Sequence, residues 1–199
     1  MSVDVRFSRA FAAVALSVAA GLTLAACSSS GTAHEGSHSA PSAAASSVAS
    51  GNASDVLFAQ MMIPHHEQAV EMAALAAAAG AGPQVQALAD QIAAAQGPEI
   101  EQMTAMLVRW GADMMGDHSG HAMEGMVSEA DMDRLRAATG PEFDRLFLEL
   151  MIAHHEGAID MTKDPMENGA DPDLRTLLDE IVTAQTAEIE QMRALLAGS

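Results

Sequence analysis

Residues 58–72 read FAQMMIPHHEQAVEM, and residues 147–161 read FLELMIAHHEGAIDM. Both stretches belong to a longer repeat, because a shift of 89 residues lays 55–108 on 144–197 without a gap. About 25 of the 54 aligned positions are identical. Self-similarity at a fixed spacing is typical of a duplicated structural unit. We therefore expect the two copies to fold alike.

Each copy has the hydrophobic period of a helix, with apolar residues three and four positions apart. In the first copy this stripe comprises Phe58, Met62, His65, Ala69 and Met72. A Gly-Ala-Gly-Pro break at 80–83 follows, and Pro83 suits the first turn of the next helix. A second apolar stripe then runs over 88–106. Each copy is therefore predicted to be a helical hairpin.

Prolines inside the first copy would normally interrupt its helices. They are Pro64 and the Gly-Pro pair at 97–98, whose counterparts in the second copy are Ala153 and the Thr-Ala pair at 186–187. Since the counterparts continue a helix freely, we expect the helices to bend at the prolines and not to end there.

Two hairpins joined by a longer connection predict an all-α four-helix bundle. We place the bundle domain at 55–199, with the repeats at 55–110 and 144–199 and a crossover at 111–127. The low aromatic content of 3% and the predominance of Ala, Leu and Met argue against a β fold.

The N-terminus has the features of a bacterial lipoprotein signal. Arg6 and Arg9 precede an apolar run over 10–26, which is shorter than the roughly 20 residues that span a bilayer. Cys27, the one Cys of the chain, follows Leu-Ala-Ala as in a lipobox. We predict a signal peptide over 1–26 and a lipidated Cys27 that anchors the protein to the cell membrane outside the cytoplasm. An ordinary signal peptide with an incidental Cys is the alternative.

Residues 27–54 are rich in Ser, Ala and Gly and are predicted to be a flexible tether. The 199-residue chain carries 27 acidic and 9 basic side chains, a net charge of −18. Removal of 1–26 leaves 26 acidic and 7 basic side chains, a net charge of −19. Nucleic-acid binding needs a basic patch, so this composition argues against it.

Four of the eight His form adjacent pairs at equivalent positions of the two copies. Neighbours on a helix diverge by about 100°, so we expect only one of each pair to point squarely inward. A core His is ordinarily a hydrogen-bonded structural residue, but the symmetry and the flanking Met favour metal ligation. The candidate ligands are His65, His66, His154 and His155. The Met of the same stripes, which alone would indicate an ordinary core, are Met62, Met72, Met151 and Met161.

The crossover gathers Met and His among Gly, Ser and Asp, where no apolar stripe can bury them. Thioether and imidazole together suit Cu(I), a soft ion. We therefore predict a mobile loop that captures metal, with a merely flexible connector as the alternative. Its candidate ligands are Met114, Met115, His118, His121, Met123 and Met126.

Glu99 and Glu188 fall on the inner stripes and are possible carboxylate ligands, with a solvated position as the alternative. They would suit an oxidase with a dinuclear His/carboxylate site for iron or manganese. However, the Glu-x-x-His order of such sites is absent, because Glu follows His directly. No Ser-His-Asp order, Gly-rich phosphate loop or catalytic Cys is found, so we do not expect an enzyme.

The segment MIPHHEQAVEM at 62–72, its second copy and the two Gln-x-x-Glu-Ile-Glu-Gln-Met segments resemble the bacterial family called domain of unknown function 305. The resemblance covers about 55–197. It implies a ferritin-like helical bundle, usually secreted, and some members are linked to copper binding and copper resistance. It also implies functional roles for His65, His66, Met62, Met72, His154, His155, Met151 and Met161.

These observations predict an extracytoplasmic, membrane-anchored protein that binds copper, chiefly Cu(I), and buffers it or passes it on. Ag(I) is expected to bind similarly, and the negative charge raises the local cation concentration. The alternatives are a ferritin-like metal oxidase with iron or manganese and an interaction module in which His and Met serve packing. The expected partners are a metal ion and the membrane, while the sequence indicates no particular protein partner.

Overall fold

The structure is a computed structural model that describes residues 51–114 and 123–198. Both ranges belong to one compact unit, and their regular secondary structure is entirely helical. The helices are α1 (Ala53–Ala79), α2 (Pro83–Trp110), α3 (Glu129–Ala137), α4 (Gly140–Met161), α5 (Lys163–Asn168) and α6 (Pro172–Gly198). Within the two ranges, no helix is long and apolar enough to cross a membrane.

The predicted signal peptide over 1–26, the lipidated Cys27 and most of the tether lie outside the described residues. The predicted end of the tether at residue 54 is wrong, because α1 already begins at Ala53. The Asn52 side chain accepts hydrogen bonds from the main-chain nitrogens of the second and third helical residues. The Asp55 carboxylate accepts in return from the Asn52 nitrogen at 2.9 Å. This reciprocal capping satisfies amides that the first turn leaves free.

The helices of the first copy pass through their internal prolines. Pro64 lies inside α1 and Pro98 inside α2, so the prediction that neither proline ends a helix is confirmed. The turn between them is made by Gly80, whose φ of 67° lies in the left-handed region, and by Pro83 in the first turn of α2.

The second copy departs from the simple hairpin, because α4 stops at Met161 and the short α5 precedes α6. Pro165 has no amide hydrogen to donate to the Met161 carbonyl, which weakens the helix at this turn. Unlike α1 and α2, which continue through Pro64 and Pro98, α4 ends here. The equivalent residue of the first copy is Ala76, in an Ala-rich run that carries α1 on to Ala79. Similar sequences around the His pairs thus end in different local structures.

Four long helices form the predicted bundle. Helices α1 and α2 pack as one hairpin and α4 and α6 as the other, while α1 contacts α4 and α2 contacts α6 between the hairpins. Equivalent carboxylates fasten each hairpin to the other. Asp55 accepts from the main-chain nitrogens of Ala170 and Asp171 at 2.9 and 3.2 Å, and Asp144 accepts from Gly82 at 3.0 Å. This reciprocity reflects the duplication.

Two apolar clusters fill the interior. Met62 of α1 shares one cluster with Met161 of α4, whereas Met72 and Met151 lie in the other. Met62, which precedes the His pair of α1, thus lies in the same cluster as Met161, which follows the His pair of α4. Helices α1 and α4 are therefore antiparallel, and the His pairs lie between the two clusters.

Candidate metal centre

The two His pairs meet where α1 crosses α4. The rings of His65 and His154 stack with their centroids 3.8 Å apart and their planes tilted by 38°. These rings and those of His66 and His155 are all fully buried. The expectation that one His of each pair points squarely inward did not foresee that the other His is buried as well. Each helix contacts two neighbouring long helices, so two of its faces are interior.

His66 and His155 turn towards the second helix of their own hairpin. Nε2 of His66 lies 2.7 Å from Oε2 of Glu99, and Nε2 of His155 lies 2.8 Å from Oε2 of Glu188. Gln91 donates a 3.1 Å hydrogen bond to the other oxygen of Glu188. Because a carboxylate accepts, Nε2 is the donor, and a neutral ring then carries its lone pair on Nδ1.

The stacked pair is less symmetric. Nε2 of His65 donates to the main-chain carbonyl of Glu124 at 3.0 Å, whereas neither ring nitrogen of His154 has a hydrogen-bond partner. Burial lowers the pKa of His65 to about 4, and it lowers the pKa of His154 well below its ordinary value. The main chain of His65 lies near the His154 ring and partly offsets the lowering of its pKa. The contact does not have the geometry of a hydrogen bond. Both rings are therefore neutral at pH 7.

Gln96 and Gln185 complete a polar layer with the His pairs and their carboxylates. Each lies three residues before Glu99 or Glu188, and so on the same helix face, and each is buried. Sequence reasoning missed these glutamines as site residues, although their identity at equivalent positions was a usable signal. We call this set the histidine layer: His65, His66, His154, His155, Glu99, Glu188, Gln96 and Gln185.

Within the described residues, every buried side-chain nitrogen or oxygen that lacks a hydrogen-bond partner belongs to the histidine layer. These atoms are Nδ1 of all four His, Nε2 of His154, both amide atoms of Gln96 and Oε1 of Gln185. Buried polar atoms are ordinarily paired, and an unpaired one costs about 1–3 kcal/mol. A concentration of unpaired imidazole nitrogens is an arrangement suited to binding a metal ion.

Thioethers flank the histidine layer on the same helix faces. Met62 lies four residues before His66, and Met151 lies four residues before His155, which places each near its His. Met62 and Met151 are fully buried. Met72 is also fully buried, whereas Met161 is half-buried.

Two further thioethers had not been selected from the sequence. Met103 and Met192 are the last residues of the two Glu-Ile-Glu-Gln-Met segments, and both are fully buried. Met103 belongs to the apolar cluster of Met62, and Met192 belongs to the cluster of Met72 and Met151. In the part of the chain that the structure describes, no three His, Asp or Glu side chains are grouped to hold one metal ion. A metal in this region would therefore draw on His pairs together with Met, which favours a soft ion.

The crossover is only partly an exposed loop. Met114 is 42% exposed, but Met123 and Met126 are half-buried. The predicted ligands Met115, His118 and His121 lie outside the described residues. The expectation that nothing buries the crossover Met is therefore wrong for Met123 and Met126.

The segment 123–127 is held against α1 and α4. Gln68 accepts from the nitrogen of Val127 at 2.7 Å and donates to its carbonyl at 2.9 Å. Gly125 has a φ of 80°, and a Cβ there would lie 2.8 Å from the carbonyl of His154. A Cβ at Gly157 would likewise meet the main chain of Glu124 and Gly125. Two facing glycines thus let the segment approach the stacked His rings.

Fold and site together define a duplicated four-helix bundle with a buried histidine layer. The chain belongs to the family described as domain of unknown function (DUF305), which matches residues 55–196. It is similar to a crystallised DUF305 fragment from Deinococcus radiodurans, with 35% identity and a TM-score of 0.68. The alignment covers 74% of this chain and 98% of the fragment.

The chain is also similar to CopM, whose structures are known with different metals. The Cu(I)-bound form is 32% identical with a TM-score of 0.61, and the Cu(II)-bound form is 34% identical with a TM-score of 0.62. Both comparisons cover 72% of this chain and 96% of CopM. An Ag-bound form obtained by soaking is 31% identical, with a TM-score of 0.60 and coverage of 72% and 95%. No curated protein matches the chain.

Proposed function

We propose that this protein binds copper as Cu(I), and Ag(I) in its place, and buffers the ion or passes it on outside the cytoplasm. The observation that carries the proposal is the set of four buried Nδ1 atoms without partners. In His66 and His155, a carboxylate holds Nε2 and leaves the Nδ1 lone pair to bind metal. Met62 supplies a thioether one turn from His66, and Met151 supplies a second thioether one turn from His155. The rings of His65 and His154, which contact each other, complete the set of four imidazoles.

Glu99 and Glu188 act in this proposal as orienting groups. A metal-binding His commonly donates its other nitrogen to a carboxylate, which fixes the ring and raises its basicity. Both glutamates already hold this position, and one oxygen of Glu188 also accepts from Gln91. The geometry therefore supports a site of imidazole and thioether ligands over a dinuclear oxidase that uses these carboxylates as ligands.

The solved relatives support the same choice of metal. CopM is known in Cu(I)-, Cu(II)- and Ag-bound forms, and it aligns with most of the bundle. Ag(I) shares the preference of Cu(I) for soft ligands. Sulfur and imidazole donors inside an apolar interior suit both ions better than they suit Fe²⁺ or Mn²⁺.

Anaerobic competition with a chromophoric Cu(I) chelator tests the His pairs in the full-length protein in detergent. His66→Gln and His155→Gln retain an amide that can donate to Glu99 or Glu188 but lose Nδ1. We expect the double variant to lose more affinity than the about 10–100-fold that loss of an orienting partner costs. Metal analysis of the purified protein provides the stoichiometry.

The control for the thioethers is Met132→Leu, because Met132 is equally buried but lies in α3. Leu replaces Met with little change of volume, so the fold should be kept. Met62→Leu and Met151→Leu should weaken Cu(I) binding, while Met132→Leu should not. Unchanged affinity in the double His variant would overturn the proposed site, and iron or manganese in the purified protein would favour the oxidase.

The proposed location rests on the sequence around Cys27. Lipidation there would keep the bundle at the outside of the cell membrane, where a thiol-free domain avoids thiol oxidation. In a bacterial host supplied with labelled palmitate, wild type should carry the label and Cys27→Ser should not. Absence of the label from wild type would exclude a lipid anchor at this residue.

A further inference from the structure

A cavity of about 720 Å³ lies at the end of the bundle where α1 begins and α4 ends. Its walls come from the first turns of α1, the end of α4, the start of α5 and Glu124 of the crossover. Glu124 is the residue whose carbonyl accepts the hydrogen bond from His65. The cavity wall and the stacked His pair therefore share one main-chain contact.

Two thioethers line this cavity, from Met61 and Met161. Met61 lies four residues before His65, and Met161 lies seven residues after His154. Spacings of four and seven return to the same face of a helix. The thioethers are thus on the faces of α1 and α4 that carry the stacked His pair. Met61 is 7% exposed and was not selected from the sequence.

Carboxylates stand at the outer part of the same cavity. Asp160 and Glu124 are exposed, and Asp160 pairs with Lys163 at 2.5 Å. Hydrogen bonds from Ser54 and Asn168 hold the pKa of the Asp164 carboxyl below its ordinary value. A wall with negative groups outside and sulfur inside would attract a cation and then favour a soft one.

The equivalent position at the other end of the bundle is packed with apolar side chains. Met61 and Met161 correspond to Leu150 and Met72, which belong to the apolar cluster that also contains Met132 and Leu135 of α3. Helix α3 therefore fills one end, and the end with Met61 keeps its cavity. The duplication alone would have made the two ends equal.

We propose that this cavity is the loading site through which a soft monovalent cation reaches the histidine layer. The thioethers of Met61 and Met161 hold Cu(I) or Ag(I) briefly, and the ion then passes to the His nitrogens behind them. The segment 123–127 is the cover between the two sites, since Glu124 both lines the cavity and bonds to His65. The inference rests on the proposed copper-binding function.

The test separates the rate of loading from the affinity. Stopped-flow transfer of Cu(I) from a chromophoric chelator to full-length protein gives the rate, and equilibrium competition gives the dissociation constant. Met61→Leu removes one thioether at nearly constant volume, and Leu57→Phe narrows the cavity with an apolar ring. Met132→Leu, at the filled end, is the matched control.

We expect Met61→Leu to load about tenfold more slowly, the effect of raising the barrier by about 1.4 kcal/mol. Leu57→Phe should also slow loading, and the dissociation constant should stay at the wild-type value in both variants. Wild-type rates in either variant, or a rate loss matched by an equal affinity loss, would overturn the loading site. If wild type binds no Cu(I), the proposed function itself is wrong. If wild type binds Cu(I) but the variants load at the wild-type rate, only the loading site is wrong.

Discussion

Gln68 and Gly157 occupy equivalent positions of the two copies, three residues after the first His of each pair. In the first copy, the Gln68 side chain forms hydrogen bonds with the main-chain nitrogen and the carbonyl oxygen of Val127. In the second copy, Gly157 presents no side chain and lets the main chain of Glu124 and Gly125 lie against α4. One crossover thus requires a long polar side chain from one copy and none from the other.

This difference shows where a duplicated protein must stop being symmetric. The histidine layer keeps its repeated residues, because both copies contribute equally to it. The crossover exists once, so the helix faces that it touches must diverge. The same asymmetry reaches the metal site, where His65 bonds to the crossover and His154 has no partner.

The largest effect is expected for the stacked imidazoles. Both are held neutral by burial, so the unfolded chain binds protons below pH 6.5 that the folded protein does not bind. Stability should therefore fall as pH drops from 6.5 to about 4, the pKa of folded His65. For His65 alone the loss is about 3 kcal/mol. Urea unfolding of metal-free protein at pH 7 and pH 4 measures it.

His65→Gln isolates this contribution, because the amide can still donate to the Glu124 carbonyl but does not titrate. The variant should lose about 3 kcal/mol less than wild type between the two pH values. His154→Gln should change the pH dependence in the same direction without losing a hydrogen bond. If His65→Gln loses as much stability as wild type, His65 is not held neutral in the fold.

The fold was largely predictable, for reasons visible in particular residues. The repeat showed that Pro64 and Pro98 do not end helices, since Ala occupies both equivalent positions. The start of α1 was missed because the Ser/Ala/Gly composition of the tether continues into the helix and hides the Asn52 cap. The α4–α5 break was missed because Pro165 lies where the copies no longer match.

The second effect concerns the contact between crossover and second copy. Gly157→Ala would place a Cβ against the main chain of Glu124 and Gly125, so the segment must shift. We expect the free energy of unfolding to fall by about 2 kcal/mol, as overpacking commonly costs. Hydrogen exchange should show faster exchange at Val127, whose amide is held by Gln68.

Gly97→Ala is the matched control, since a Cβ at Gly97 meets nothing within 4 Å. Gly97 precedes Pro98, whose ring disfavours a helical conformation for a residue with a Cβ. The free energy of unfolding should therefore change by less than the about 1 kcal/mol that Ala ordinarily gains over Gly inside a helix. Equal effects of the two substitutions would mean that the close approach at Gly157 does not hold the crossover.

The sequence predicted most of the residues of the candidate site, but it did not predict how their side chains contact one another. The His pairs, the flanking Met and the two glutamates could be selected from the repeat. That Glu99 and Glu188 hold Nε2 atoms depends on how α2 and α6 rotate against their hairpin partners, which periodicity does not determine. Gln96 and Gln185 were overlooked because an amide in a helix is ordinarily a surface residue.

The smallest effect is expected at Pro64, where the second copy has Ala153. Pro64 cannot donate to the Gln60 carbonyl, so α1 lacks one hydrogen bond that α4 makes at the equivalent turn. Pro64→Ala should raise the free energy of unfolding by about 1 kcal/mol, since the restored bond outweighs the greater freedom of the unfolded chain. Pro98→Ala, inside α2, should have the same sign. If Pro64→Ala destabilises the protein while Pro98→Ala stabilises it, the shape that Pro64 gives α1 beside His65 is a requirement of the first copy alone.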